Sequence, residues 1–259
     1  MTLVRGRGCV QDPSGHLRTP FYHLAAKMEM NPVVTPKSCY LSSIPGVMDQ
    51  DQTGACTGHG FSCGIKGSVG DALPFVPSPK GLYDGRAIDR FDVSTPLSDS
   101  GAMMNQILRW ANEYGVRAMQ PFSDRYSDVS VVNVNDEETL TNLEEAATSL
   151  IIGGYMPSNE RQQRIQDIRM AISNGKAIPV AVDSGPLQSY TSGVLRNLGT
   201  SVDHCVCIVG YDTLNDGSTI FRIRNSWSAG FGENGDFWLH EDAVMQLFDL
   251  YVLDVKVAS

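Results

Sequence analysis

Gln50-Asp-Gln-Thr-Gly-Ala-Cys56 is the stretch whose reading decides the rest, because it ends on a thiol at the mouth of an expected helix. That helix is expected over 57–65, Thr-Gly-His-Gly-Phe-Ser-Cys-Gly-Ile, although Gly58, Gly60 and Gly64 each cost about 1 kcal/mol against alanine in a helix interior. Propensity alone rejects it. Burial between two lobes rescues it, since glycines let neighbouring elements pack close to the helix axis. A cysteine at a helix N-terminus faces unpaired backbone N–H groups and the positive end of the dipole, which favours thiolate over thiol. Cys56 is therefore the candidate nucleophile, with the Gln50 carboxamide upstream and Gly54 allowing a close backbone approach to a ligand.

With 259 residues, 42% of them hydrophobic, the chain can bury a full core as one large domain or two small lobes. Its net charge is −9 and its lysines and arginines are scattered, so neither nucleic acid nor an anionic membrane is an expected partner. Of six cysteines, five remain if Cys56 stays free, an odd set that makes a poor disulfide framework. A single Cys9–Cys39 bridge stays open, but a reducing, cytoplasmic setting fits better. The sequence as given shows no apolar run of signal-peptide length and nothing near the ~20 apolar residues of a membrane span. A soluble, monomeric protein is expected, with export by another route left open.

Residues 1–38 are interrupted by Pro13, Pro20, Pro32 and Pro36 and read as an extended arm, either laid along the body or crossing a cleft. Residues 39–125 read as a mainly helical lobe, with a short helix over 81–89 and an amphipathic one over 102–114 that Gly115 ends. Residues 126–259 read as a β-rich lobe. Within it, the polar stretch 124–160, with its Asp136-Glu-Glu138 run, reads as a solvated helix or linker, and 165–172 as a helix. Strands are expected over 177–183, 203–211, 220–225, 236–240 and 250–257. The fold class is α+β, a helical lobe plus an antiparallel, barrel-like sheet with a cleft between them.

A thiol nucleophile needs a base, a group to orient that base, and donors for an oxyanion. His204 opens an apolar strand, and Asn225 closes the next, followed by Ser226-Trp227. Adjacent antiparallel strands bring such an amide to the imidazole and fix its tautomer. Cys56, His59, Cys63, His204, Cys205 and Cys207 also invite a zinc reading, but His204 and Cys205 are neighbours on a strand and point to opposite faces. No metal and no cofactor is called for.

Three blocks, Gln50 to Cys56, Val202-Asp-His204 leading into Ile208-Val-Gly-Tyr211, and Asn225-Ser-Trp227 leading into Gly230-Phe-Gly-Glu-Asn-Gly235, together resemble the papain-like cysteine peptidases. The resemblance implies a two-lobe papain-like fold and hydrolysis of polypeptide. It makes Cys56 the nucleophile, His204 the base and Asn225 its orienter, with Gln50 and the Cys56 N–H as the oxyanion hole. Gln52 remains an alternative donor. Among substrate-side residues, Gly101 and Asp203 would hold extended backbone, and Trp227 would shield the His204–Asn225 pair. Thr53 and Thr57 depart from the C-G-[SA]-C-[WY] signature, and the first change removes a disulfide. An arm shorter than the inhibitory propeptide of animal and plant enzymes points to a bacterial or viral branch. An acyltransferase or amidase using the same residues, or a non-catalytic binding module, are the alternatives.

Overall fold

The structure, a computed structural model, describes residues 8–11, 19–20, 23, 35–89, 98–119 and 148–258. Three two-residue strands come first: β1 (Cys9–Val10), β2 (Thr19–Pro20) and β3 (Cys39–Tyr40). Helix α1 (Cys56–Val69) follows and is buried along almost its whole length. Helix α2 (Pro79–Tyr83) starts on Ser78, whose hydroxyl accepts the Gly81 N–H at 3.0 Å, with proline at the first helical position where no backbone donor is needed. It passes into a 3-10 turn, Asp84–Ala87, so the single helix expected over 81–89 is two elements. Strand β4 (Ala102–Met103) leads into α3 (Met104–Tyr114), which buries Met104, Ile107, Trp110 and Ala111 on one face and ends at Gly115, φ +72°.

Strand β5 (Leu150–Met156) and helix α4 (Arg161–Ser173) precede the second lobe's strands: β6 (Ile178–Val182), β7 (Val194–Leu195), β8 (His204–Thr213), β9 (Thr219–Arg224), β10 (Asp236–His240) and β11 (Val252–Val257). β8 is central. It pairs antiparallel with β9 on one side and with β6 and β3 on the other, while β10 extends the sheet beyond β9 and β7 closes it in parallel. The register Val182↔His204 and Cys207↔Arg224 fixes where the candidate base and its orienter stand. Isoleucines, leucines and valines from this sheet and from α4 fill one core.

The 124–160 expectation needs correcting. Residues 120–147 lie outside the described residues, but 150–156 is a strand, not a helix or linker, antiparallel to β11 from Val252↔Tyr155 to Val257↔Leu150. Its Gly153-Gly154 pair hides the strand signal. The Gly154 position is bare because the rings and branches of Tyr251 and Leu108 occupy that space. Through this pairing Leu253 and Val255 of the C-terminal strand join Phe61, Ile65, Met104 and Ile107 in the helical core. Tyr40, counted with the helical lobe, pairs instead with Gly210 of β8. The division at 125/126 is thus not the division between the two cores. Among the described residues no helix is long and apolar enough to cross a membrane.

Helix α1 is wedged between α2 on the Gly58 side and the β8 and β6 strands on the side of Gly60 and Gly64. A methyl group on Gly58 would lie 2.0 Å from the Pro79 carbonyl oxygen, one on Gly60 2.5 Å from Cys205 Sγ, and one on Gly64 2.4 Å from Pro179 Cγ. Packing outweighs propensity here. Gly58→Ala is expected to lower stability by about 2 kcal/mol in urea unfolding, since overpacking against backbone costs more than the helix propensity returns. A stabilised Gly58→Ala chain would show that α1 is not so tightly enclosed.

Candidate active site

Cys56 is the first residue of α1 and is fully buried. Its N–H lies in the first turn, where no preceding carbonyl of the helix can accept it. Burial pushes the thiol up to about 12, and the backbone N–H groups of Cys205, Gly8 and Thr57 offset this only in part. The sequence expectation of a favoured thiolate therefore does not hold for this enclosed state, because desolvation of the charge exceeds the help from the amides.

The amide that faces the sulfur belongs to Cys205, the residue after His204, so the start of β8 lies against the start of α1. His204 is itself buried, with Nε2 2.8 Å from Asn225 Oδ1. The same oxygen accepts the Ser226 N–H at 2.8 Å, which fixes the carboxamide with its acceptor toward the ring. An oxygen acceptor requires the proton on Nε2. The neutral ring then keeps its lone pair on Nδ1. Trp227 stacks on the imidazole with centroids 4.8 Å apart and an interplanar angle of 27°, and it is 4% exposed. Asn225 is anchored by its own N–H, which donates to the Gly235 carbonyl at 2.9 Å. The preceding Arg224 pairs with the buried Asp236 and donates to the Pro45 carbonyl at 2.7 Å.

Gln50 is fully buried, whereas Gln52 is exposed. The Gln50 Oε1 accepts the Ser226 hydroxyl at 2.6 Å, its Nε2 donates to the Thr53 carbonyl at 2.7 Å, and its backbone N–H donates to the Ser226 carbonyl at 2.8 Å. One hydrogen of the carboxamide nitrogen remains for another acceptor. Ser228 N–H donates to the Met48 carbonyl at 3.1 Å, so residues 48–50 and 226–228 run side by side and join the two lobes.

Gly101 and Asp203 face each other across a segment of the chain's own arm. The Gly8 and Cys9 N–H groups donate to the Asp203 carbonyl at 2.8 and 3.1 Å, and Ala102 N–H donates to the Gly8 carbonyl at 2.7 Å. β1 pairs with β4 in parallel, Cys9↔Ala102. Gly101, at φ +83°, has no room for a side chain, as a methyl group would lie 2.2 Å from the Gly8 carbonyl oxygen. The Asp203 carboxylate is turned away, holding the Ser184 N–H at 2.8 Å and hydroxyl at 3.0 Å. All six cysteines are free thiols. Among the described residues no three His, Cys, Asp or Glu side chains are grouped to hold a metal ion.

The profile described as papain family cysteine protease matches residues 95–247. The chain belongs to that family. It is 28% identical over 238 residues to a probable cysteine protease RD21C of Arabidopsis thaliana, covering 85% of this chain and 50% of that one. It is 35% identical over 205 residues to vignain of Ricinus communis, covering 74% and 50%. The chain thus spans about half the length of these curated relatives. Xylellain, a cysteine protease from Xylella fastidiosa, has the same fold, with a TM-score of 0.69 at 20% identity over 98% of this chain and 97% of that one. The papain-like two-lobe fold is thereby established, although Cys56 lies outside the segment the profile matches.

Three members of the site gave no strong sequence signal. Ser226 lay inside the Asn225-Ser-Trp227 block without a role of its own, Tyr83 fell in the short helix expected over 81–89, and Asp99 stood in an Asp-Ser-Gly101 stretch that resembles the family only weakly. All three act through hydrogen bonds between distant segments, which no local spacing reveals. The geometry at His204 has a spectroscopic consequence. In 15N NMR at a pH where the ring is neutral, His204 should carry its proton on Nε2, and Asn225→Ala should give a tautomer mixture. An Nδ1-protonated ring in the parent protein would contradict the assigned bond.

Proposed function

We propose that this chain is a cysteine endopeptidase that cleaves extended polypeptide in the cleft between its lobes. One observation carries the proposal: His204 is held by Asn225 at 2.8 Å beneath the Trp227 ring, and the amide next to it in the chain faces the Cys56 sulfur. Cys56 Sγ passes its proton to His204 Nδ1 and attacks the scissile carbonyl carbon. The oxygen that becomes negative is received by the Cys56 N–H and the spare hydrogen of the Gln50 carboxamide. His204 returns the proton to the leaving amine, and water, deprotonated by the same ring, releases the acyl group from sulfur. Gln50, buried against Ser226, is better placed for this than the exposed Gln52. Asn225 keeps the Nε2 proton in place through both steps. Trp227 excludes water from that bond. The alternative acyl-transfer and binding-only readings have no observation that favours them.

The arm supports a latent form of the enzyme. Gly8 to Val10 lies where Gly101 and the Asp203 carbonyl would hold substrate backbone, bonded to the Asp203 carbonyl and to the Ala102 N–H. The enclosed form, with its cleft occupied and its thiol pushed up by burial, is inactive, and turnover comes from the fraction of molecules whose arm has left the cleft. Six free thiols favour a reducing compartment.

Cys56→Ala and His204→Ala should each abolish cleavage of a peptide amide and labelling by a peptidyl thiol-directed electrophile, and turnover by Cys56→Ala at the parent rate would refute the assignment. Deleting residues 1–11, which keeps β2, should raise kcat/KM on small peptides by about tenfold or more, because more of the protein is then competent to bind. Unchanged activity in the shortened chain would remove the latent form from the account.

A further inference from the structure

We infer that Asp99 and Tyr83 form a clamp that positions the nucleophile turn, making Asp99 a positioning residue for Cys56; the inference deepens the peptidase reading and rests on it. The Asp99 carboxylate accepts the Gly54 N–H at 2.9 Å on one oxygen and 3.0 Å on the other, and the Tyr83 hydroxyl at 2.8 Å. The Tyr83 oxygen in turn accepts the Gly101 N–H at 3.0 Å. One chain of hydrogen bonds therefore ties the residue two before the nucleophile to Gly101, the neighbour of the Ala102 that pairs with extended backbone in the cleft.

The base of the clamp is rigid. Tyr83 is fully buried at the end of α2, and the Arg86 guanidinium stacks 3.9 Å from its ring centroid. Arg86 also donates to the Tyr83 carbonyl at 2.9 Å and to the Ser98 carbonyl at 3.2 Å, so one buried side chain fixes both arms of the clamp. The working end is exposed, since Asp99 faces solvent at the cleft edge.

This sequence needs such a device because Thr53 stands where the family signature has a cysteine. Thr53 bonds only back to Gln50, its hydroxyl donating to the Gln50 carbonyl at 2.7 Å, so it does not tie the turn to the opposite wall. Gly54 completes the fit, since a methyl group there would lie 3.0 Å from both Asp99 Oδ1 and the Tyr83 hydroxyl oxygen. Two effects of Asp99 on the thiol have opposite signs. Its negative charge opposes thiolate, but that charge is exposed and screened. Its hold on Gly54 aligns the first turn of α1, whose N–H groups favour thiolate and face the oxyanion, and this effect dominates.

The test uses the full chain and two readouts: kcat and KM on a peptide amide, and the pH dependence of iodoacetamide alkylation at Cys56, followed by mass spectrometry of its peptide. Asp99→Ala should lower kcat/KM by about tenfold or more, mostly in kcat, and should move the alkylation midpoint upward. Asp99→Asn, which can still accept both hydrogen bonds, should stay within about threefold of the parent, as a positioning role but not a charge role requires. Tyr83→Phe combined with Asp99→Ala should be scarcely worse than Asp99→Ala alone, as for two parts of one network. If Asp99→Ala does not fold, Asp99→Glu, which pushes the carboxylate out of register, should give the same upward shift. An unshifted or downward-shifted alkylation midpoint, or effects that multiply in the double variant, would overturn the clamp. If neither the parent chain nor the chain without residues 1–11 cleaves a peptide, the peptidase reading fails, while the alkylation midpoints still decide the clamp.

Discussion

The close approach of α1 to β8 is the constraint on which the site depends. Gly60 has no side chain, so the Cys205 side chain can lie against the helix, and this contact brings the Cys205 amide to the Cys56 sulfur. His204 precedes Cys205 and is placed by the same contact. The β-ladder then supplies the rest: Cys207↔Arg224 sets the register that delivers Asn225 to the imidazole. A helix that propensity disfavours is kept because its glycines set the spacing between two lobes that must meet at a reacting pair.

Much of the polar structure around the site holds turns in place. Ser226 locks the Gln50 carboxamide, Ser184 turns the Asp203 carboxylate away so that its carbonyl faces the cleft, and Arg224 ties Asp236 to the loop at Pro45. These groups are buried or half-buried, where an unmade hydrogen bond costs about 1–3 kcal/mol, so each also fixes one geometry. The thiol is treated differently. It is enclosed by protein and by the chain's own Gly8 to Val10, and burial opposes the ionisation that its helix position favours.

Helix α4 and the five longer strands of the second lobe were legible because their apolar patterns are long and local, whereas the nucleophile helix was read from the thiol at its mouth and against its own propensity. The Cys56, His204 and Asn225 blocks were legible because each pairs a reactive residue with a distinctive neighbourhood. The strand at 150–156 was hidden by two adjacent glycines, one whose space Tyr155 of the same strand fills and one whose space Leu108 and Tyr251 fill from elsewhere in the chain. The lobes were divided at one point because a change of period was read as a change of domain, whereas β11 and β3 each cross to the other side. Asp99, Tyr83 and Ser226 stood in stretches that could be read, but their roles could not, because hydrogen bonds between distant segments leave no local period.

The account turns on whether Cys56 and His204 behave as one ionising pair once the cleft is open. An ultraviolet difference titration of the thiolate, on the chain without residues 1–11 and on the same chain with His204→Ala, measures this directly, with Cys56→Ser as the blank for the other five thiols. The account predicts that Cys56 ionises well below an ordinary thiol when the imidazole is present and reverts upward when it is replaced. A Cys56 titration that is ordinary or elevated in both chains would contradict it.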